Sequence, residues 1–309
     1  MPPRDEWPES FGRAELRAYL EQKGARIDAF LDDTLPEETR MPATLHRAMR
    51  YSVFAGGKRI RPILVLAGAE AVGGSAERVL PLAATIELIH TYSLIHDDLP
   101  ALDDDDYRRG RLSNHKVFGE AVAILAGDAL LTKAFELLSD RGRFEGIDPA
   151  LLLDVVNQVG QAAGSTRLVG GQVVDLESEG KPVELPLLEY IHVNKTGNLI
   201  VTSVTGGARL CGADPTQLKH LARYGECVGL VFQITDDILD VEGAREVMGK
   251  ATGADQIHGK ATFPALLGMS ESRRRAAELT GIALESLSPF GPAADPLRAL
   301  AVYLRDRDR

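Results

Sequence analysis

The 309-residue chain is 44% hydrophobic and carries a net charge of -10 at pH 7. The negative charge argues against nucleic acid as the main partner, because surfaces that bind nucleic acid carry an excess of lysine and arginine. The first ten residues lack an apolar signal core, and no stretch reaches the ~18 consecutive apolar residues of a membrane span. The two cysteines, Cys211 and Cys227, are too few for a disulfide framework or a zinc site, so a cytoplasmic location is expected.

The pattern of prolines, glycines and apolar residues predicts helices in chain order. Proline is absent between Ala101 and Asp148, between Leu187 and Asp214, and between Thr216 and Phe263. These spans are rich in helix-forming residues. Apolar residues recur at helical spacing in two sets, namely Val122, Leu125, Ala126, Ala129 and Leu130, and Leu151, Val155, Val159 and Ala162. Breaks are predicted at Gly73-Gly74, Gly110, Gly146, Gly180, Gly212 and the Gly-rich stretch after Gly243. We therefore predict an all-α fold, with residues 1–309 in one domain and 1–10 disordered.

A basic segment, Gly-Gly-Lys-Arg-Ile-Arg-Pro at 56–62, lies between two apolar helical stretches. One interpretation is a solvated helix start, since proline is tolerated in the first turn of a helix. The alternative is a diphosphate site. Paired glycines allow a close approach of the backbone, and Lys58 and Arg61 lie three residues apart on one helix face. Lysine and arginine can hold a diphosphate without a metal.

Two aspartate-rich motifs each follow an apolar helical stretch. The first contains Asp97, Asp98 and Asp103, and the second contains Asp236, Asp237 and Asp240. Carboxylate oxygens suit Mg²⁺, which commonly joins one or two carboxylates to a substrate phosphate. Gln233, Asp236 and Asp240 share one helix face. Two such clusters indicate a polyphosphate held between them by metal ions.

Taken together, these motifs resemble those of the trans-isoprenyl diphosphate synthases, over nearly the whole chain from about Leu45. The similarity also covers Gly-Gln-x-x-Asp at 171–175, Lys-Thr-Gly at 195–197 and Gly-Lys-Ala-Thr at 259–262. The resemblance implies antiparallel helices around a deep central cavity, and a homodimer. It implies head-to-tail condensation of an allylic diphosphate with isopentenyl diphosphate, with the released pyrophosphate as the base.

The resemblance also implies roles for individual residues. The metal residues are Asp97, Asp98, Asp103, Asp175, Asp236, Asp237 and Asp240, with about three Mg²⁺ ions per site and Mn²⁺ as an alternative. Asp97, Asp103 and Asp236 are the direct ligands, Asp98 supports them, and Gln172 lies nearby. Asp175 lines the metal site or only orients a lysine. Asp104 to Asp106 are expected to be solvated or paired with arginines.

Substrate-binding roles follow in the same way. Isopentenyl diphosphate is assigned to Gly57, Lys58, Arg61, His90 and Arg109, and the allylic diphosphate to Arg108, Lys250 and Lys260. Lys195, Thr196 and Gln233 are the catalytic candidates beside the carbocation. His90 taken alone would more often be a core histidine, and Thr196 is otherwise a mid-helix residue bonded to its own backbone.

Two segments have open interpretations. Residues 241–262 form either a surface loop or a lid that excludes water from the cation. The C-terminal Arg305, Arg307 and Arg309 either cover the isopentenyl site or fray.

The product expected is farnesyl diphosphate. Four residues separate Asp98 from Asp103, as in bacterial farnesyl and plant-type geranylgeranyl synthases. In this family the fifth and fourth positions before the first Asp pair help form the floor of the chain pocket. Here they are Tyr92 and Ser93, so the resemblance implies that the bulky Tyr92 closes the pocket and that the small Ser93 leaves room for the farnesyl chain. The alternatives are that Tyr92 is a core aromatic and that the product is geranyl or geranylgeranyl diphosphate. A terpene cyclase and a non-catalytic subunit fit less well, because both Asp motifs and the basic segment are intact. A calcium-binding loop also fits less well, because the first motif lacks the glycine and the terminal glutamate of an EF-hand at their required spacing.

Overall fold

The structure is a computed structural model that describes residues 7–8, 11–242 and 261–307. Most of these residues are helical, which confirms the all-α prediction. The α-helices in chain order are α1 (Arg13–Thr34), α2 (Ala43–Val53), α3 (Ile60–Ala71), α4 (Leu80–Asp97), α5 (Asn114–Phe118), α6 (Glu120–Ser139), α7 (Pro149–Ala163), α8 (Leu168–Ser178), α9 (Leu185–His192), α10 (Asn198–Leu210), α11 (Pro215–Glu242), α12 (Phe263–Leu267), α13 (Met269–Ser286) and α14 (Asp295–Asp306). Short 3₁₀ turns span Ala76–Val79, Arg141–Phe144 and Pro292–Ala294, and a π-helical turn, Val193–Gly197, joins α9 to α10. Within the described part of the chain, no helix has both the length and the apolar character needed to cross a bilayer.

The breaks and the helical spacing read from the sequence agree with the observed elements. The glycines predicted as breaks up to Gly212 lie outside α-helices, and the stretch after Gly243 lies outside the described residues. Most of the second apolar set is buried in α7, including Val155 and Val159. In the first set Ala126 and Leu130 are buried in α6, but Leu125 is 57% exposed. The apolar face of α6 therefore extends beyond the part that the core covers.

The centre of the molecule is built from helices that are apolar on nearly every side. α3 packs against α10, and α4 packs against α6. The α3–α10 contact is close because of two glycines. A Cβ at Gly68 would lie 2.2 Å from the carbonyl oxygen of Val204, and one at Gly207 would lie 1.9 Å from that of Val65. Helices that are hydrophobic all round belong in the interior. α4 therefore runs through the core, and its C-terminal end lies at the site.

A small antiparallel hairpin follows the first Asp motif, and the sequence did not predict it. Strands β1 (Tyr107–Arg108) and β2 (Arg111–Leu112) pair with Arg108 opposite Arg111. The two turn residues, Arg109 and Gly110, both have positive φ angles, of 54° and 75°. Two-residue hairpin turns favour this backbone because its twist matches that of the strands. Arg108 of the hairpin bonds Asp98 and Arg109 bonds the Gly56 carbonyl, so each arginine meets a different part of the site.

Candidate active site

The first Asp motif is formed where α4 ends. Asp97 is the last residue of the helix, and the backbone N–H of Asp103 donates to the Asp97 carbonyl at 2.9 Å. This bond closes the four-residue insertion into a compact turn. Asp98 and Asp103 are buried, and Asp97 is half-buried. The structure therefore brings the three carboxylates to the same end of one helix, as the sequence predicted.

Lys195 joins this motif to α8. Its Nζ donates to Asp175 Oδ2 at 2.8 Å and lies 3.8 Å from Asp97 Oδ1. Gln172 Nε2 also donates to Asp97. Burial opposes the lysine charge, but Asp97, Asp175 and Asp103 outweigh it and raise the pKa of Lys195. The bond from Lys195 is the contact that a lysine-orienting role of Asp175 predicts.

The backbone around Lys195 is a π-helical turn that is held by close glycine contacts. A Cβ at Gly171 would lie 2.5 Å from the backbone nitrogen of Lys195, and one at Gly229 of α11 would lie 2.9 Å from the Gly197 Cα. Thr196 is buried within this turn, so it is not an ordinary α-helical residue. π turns are rare and frequently occur at functional sites. The turn places Lys195 and Thr196 between α8 and α11.

Arg108 is committed to the first Asp motif. Its Nε donates to Asp98 Oδ1 at 2.8 Å, and its Nη2 approaches Asp105 Oδ2 at 3.2 Å. Burial opposes the charge of Arg108, but these carboxylates outweigh it and raise its pKa. Asp106 pairs with Lys116 at 2.6 Å, and Asp104 is exposed. The expectation that Asp104 to Asp106 are solvated or paired is confirmed, with a lysine as one partner.

The basic segment meets α4 at His90. Arg61 Nη1 lies 3.3 Å from His90 Nε2. Burial and then the neighbouring arginines, Arg61 first, hold the pKa of His90 well below its usual value. The imidazole is therefore neutral, and its Nε2 accepts from the guanidinium. Burial also lowers the pKa of Arg61 to about 10, which leaves it charged at neutral pH. His90 is thus a partner of the predicted diphosphate site rather than an apolar-core histidine.

The paired glycines at the start of the segment lie against Arg109. Arg109 Nη1 donates to the carbonyl of Gly56. A Cβ at Gly57 would lie 2.5 Å from the Arg109 guanidinium carbon. Gly57 therefore leaves space for that guanidinium, and this explains a glycine at this position. Lys58 is exposed and lies 5.5 Å from the centroid of the Tyr303 ring on α14.

The C-terminal arginines have different positions. The Arg307 guanidinium lies 4.1 Å from the centroid of the Phe232 ring and donates to Asp236 Oδ1 at 2.6 Å. Arg305 pairs with Asp306 at 2.6 Å. Arg61 approaches Phe232 at 5.7 Å, so one aromatic ring lies near two cations. Arg307 is a site residue that the sequence left undecided, and Phe232 is one that it missed.

The second Asp motif divides between two tasks. Asp236 is half-buried, faces Arg307 and lies near Arg61; burial raises its pKa and Arg307 opposes this shift. Gln233 and Asp240, one turn on either side, are also half-buried on α11. Asp237 lies elsewhere: its Oδ2 accepts from the backbone N–H of Phe263 at 2.8 Å, and the His192 ring stacks on Phe263. Asp237, predicted as a metal residue, instead fastens the start of α12, because consecutive helical residues point about 100° apart.

Lys250 and Lys260 lie outside the described residues, as do Arg309 and most of the predicted lid.

The donor set suits magnesium. Asp97 and Asp103 lie at one motif and Asp236 and Asp240 at the other, and carboxylates are the ligands that Mg²⁺ prefers. In residues 7–8, 11–242 and 261–307, no three Asp, Glu, His or Cys side chains converge closely enough to hold a metal. Asp97 and Asp236 face Lys195 and Arg307 instead. Because Mg²⁺ is commonly bound by one or two carboxylates together with phosphate oxygens, a convergent trio is not required.

The chain belongs to the polyprenyl synthetase family, whose model matches residues 42–286. Together with the fold and the paired Asp motifs, this makes it a prenyltransferase, specifically a trans-prenyl diphosphate synthase. It is 51% identical to a farnesyl diphosphate synthase of Geobacillus stearothermophilus over 85% of this chain and 88% of that protein. It is 45% identical to a chloroplastic geranylgeranyl pyrophosphate synthase of Catharanthus roseus over 95% and 82%. The crystal structure of an FPP/GFPP synthase from Zymomonas mobilis superposes with a TM-score of 0.85 at 37% identity, over 94% of this chain and 99% of that one.

Proposed function

We propose that this chain condenses isopentenyl diphosphate with dimethylallyl and geranyl diphosphates to give farnesyl diphosphate, in a magnesium-dependent reaction. The observation that carries the product assignment is Tyr92. Its side chain is buried on α4, five residues before Asp97. At about 1.5 Å of rise per residue, the ring lies roughly 7 Å deeper than the diphosphate end of the site. A growing chain that enters alongside α4 meets this ring after few additions.

Ionisation of the allylic diphosphate needs the charge of the leaving group to be neutralised. Asp97, Asp103 and Asp236, helped by Asp240, would hold Mg²⁺, and the bound ions would supply most of that neutralisation. Arg108 and Lys195 add fixed positive charges at the first motif, and Asp98 and Asp175 hold them in place. Charges oriented before the reaction stabilise developing negative charge most effectively.

The second substrate occupies the basic segment. Lys58, Arg61 and Arg109 bind the diphosphate of isopentenyl diphosphate, and neutral His90 orients Arg61. The double bond of isopentenyl diphosphate attacks the allylic cation. Lys195, Thr196 and Gln233 would offer amide, hydroxyl and backbone dipoles to the cation. The proton that is then lost passes to an oxygen of the released pyrophosphate.

Product length is tested by sizing the products of wild type and variants with labelled isopentenyl diphosphate. Wild type should stop at fifteen carbons. Tyr92→Ala should shift the product toward twenty or more, whereas Tyr92→Phe, which keeps the ring, should match wild type. Relatives carry both farnesyl and geranylgeranyl names, so a twenty-carbon product from wild type would assign the geranylgeranyl activity instead.

We also propose a homodimer and a cytoplasmic location. Ile124 and Leu125 of α6 and Val117 of α5 are exposed apolar side chains on neighbouring elements, which supports a self-association surface. Both cysteines are free thiols, which suits a reducing compartment. Ile124→Glu should convert a dimer to a monomer in light scattering; a wild-type monomer would refute the assembly.

A further inference from the structure

Glu87 is an acidic side chain buried in the apolar part of α4. Its side chain is 2% exposed, and its Oε1 accepts from Arg59 Nη1 at 2.5 Å. Arg59 is as deeply buried and makes two further bonds, to Asp28 Oδ1 at 2.8 Å and to the carbonyl of Val53 at 2.6 Å. Glu87 and His90 lie three residues apart, so α4 presents both to the basic segment. None of the catalytic roles assigned above uses Glu87 or Arg59.

The bonds of the Arg59 side chain stabilise an uncommon backbone conformation at Arg59. Arg59 has a left-handed conformation, with φ 50° and ψ 32°, and forms the N-cap of α3. This conformation is uncommon for a residue with a Cβ, so surrounding contacts must maintain it. Lys58 precedes it directly, and Arg61 follows two residues later. The direction in which both cations project therefore depends on the turn at Arg59.

We propose that Glu87 is a positioning residue for isopentenyl diphosphate: its carboxylate holds Arg59, and Arg59 fixes the turn from which Lys58 and Arg61 reach the diphosphate. This inference rests on the proposed function of the basic segment. Glu87 touches neither substrate nor reacting atoms, and it acts through Arg59.

An electrostatic role and a positioning role of Glu87 predict opposite changes in diphosphate affinity for a variant without the charge. Glu87 is the leading negative charge acting on Arg61 and Arg109, against a strong effect of burial on both. If only electrostatics mattered, removing this negative charge would make the segment more positive, and a diphosphate would bind more tightly. If Glu87 positions the turn, its removal releases Arg59 and binding weakens. The sign of the change separates the two explanations.

The test compares Glu87→Gln, Glu87→Asp and Asp28→Asn. We expect Glu87→Gln to raise both the KM and the calorimetric Kd for isopentenyl diphosphate roughly ten- to a hundredfold, as a displacement of about 1 Å would. The KM for geranyl diphosphate should stay within about twofold. Glu87→Asp keeps the charge and should restore part of the affinity. Asp28→Asn is the matched control. Asp28 also bonds Arg59, but its side chain is 46% exposed, so the KM for isopentenyl diphosphate should change by less than about threefold.

Tighter or unchanged binding of isopentenyl diphosphate by folded Glu87→Gln would overturn the proposal, as would equal losses for both substrates. Should Glu87→Gln not fold, Glu87→Asp decides by the same criteria, with wild-type affinity counting against the proposal. Arg61→Ala in the same assay tests the underlying site. If Arg61→Ala leaves the KM for isopentenyl diphosphate unchanged, the assignment of the basic segment is wrong. If only Arg61→Ala raises it, the role of Glu87 alone is refuted.

Discussion

The two adjacent glycines of the basic segment give a sharp test of the site, because their surroundings differ. An alanine Cβ at Gly57 would lie 2.5 Å from Arg109 Cζ and Nη1, whereas one at Gly56 would meet nothing within 4 Å. Both glycines have positive φ angles, 117° and 93°. Gly57→Ala and Gly56→Ala should therefore share a backbone strain of about 1–3 kcal/mol each. Only Gly57→Ala should also displace the Arg109 guanidinium.

The size of the functional effect follows from that displacement. Carbon atoms in contact prefer about 3.5–4.0 Å, so the guanidinium must move by about 1 Å. The shift removes the bond from Arg109 to the Gly56 carbonyl and misplaces one cation of the isopentenyl site. A bond to a charged group contributes about 1.5–3 kcal/mol, and each 1.36 kcal/mol is tenfold. Gly57→Ala should raise the KM for isopentenyl diphosphate roughly ten- to a hundredfold.

Steady-state kinetics with each substrate varied in turn measure the effect on KM, and urea unfolding measures the backbone strain. Both variants should lose similar unfolding free energy, but Gly56→Ala should keep a KM for isopentenyl diphosphate within about threefold of wild type. Equal KM values for the two variants would show that the position of Arg109 does not matter for this substrate.

Three further predictions concern the second Asp motif, Arg108 and His90. Asp236→Asn should lower turnover by about a hundredfold or more with the fold retained, whereas the adjacent Asp237→Asn should mainly lower the unfolding temperature, since Asp237 bonds the Phe263 backbone. Comparable turnover in the two variants would contradict this division. Arg108→Ala should raise the KM for geranyl diphosphate more than that for isopentenyl diphosphate. A larger rise for isopentenyl diphosphate would mean that Arg108 serves that substrate instead. His90 stays neutral in the folded protein, while the unfolded chain binds a proton below about pH 6.5. Stability should therefore fall as pH drops through this value, because the unfolded chain then binds a proton that the folded protein does not. Urea titrations should show that His90→Gln loses this part of the pH dependence, and an unchanged slope would exclude His90 as its source.

Much of the site could be predicted from short stretches of sequence. Asp97 and Asp236 each end or follow an apolar helical stretch, and the basic segment lies between two helices, so local periodicity places each motif at the end or on the face of a helix. The glycine breaks and the all-α class follow from the same local signals. The hairpin at 107–112 was missed because its strands are only two residues long.

What the sequence determined by itself is the inventory of charges and the helices that carry them. What only the tertiary structure decided is which charges meet. Asp175 pairs with Lys195, twenty residues away, and Arg307 with Asp236, seventy-one residues away. Asp237, one residue from a site carboxylate, bonds a backbone N–H of the next helix instead. Helical periodicity fixes the direction of a side chain within its own helix. The partner depends on how helices distant in sequence pack, and that is set by contacts such as Gly171 on Lys195, which no local pattern specifies.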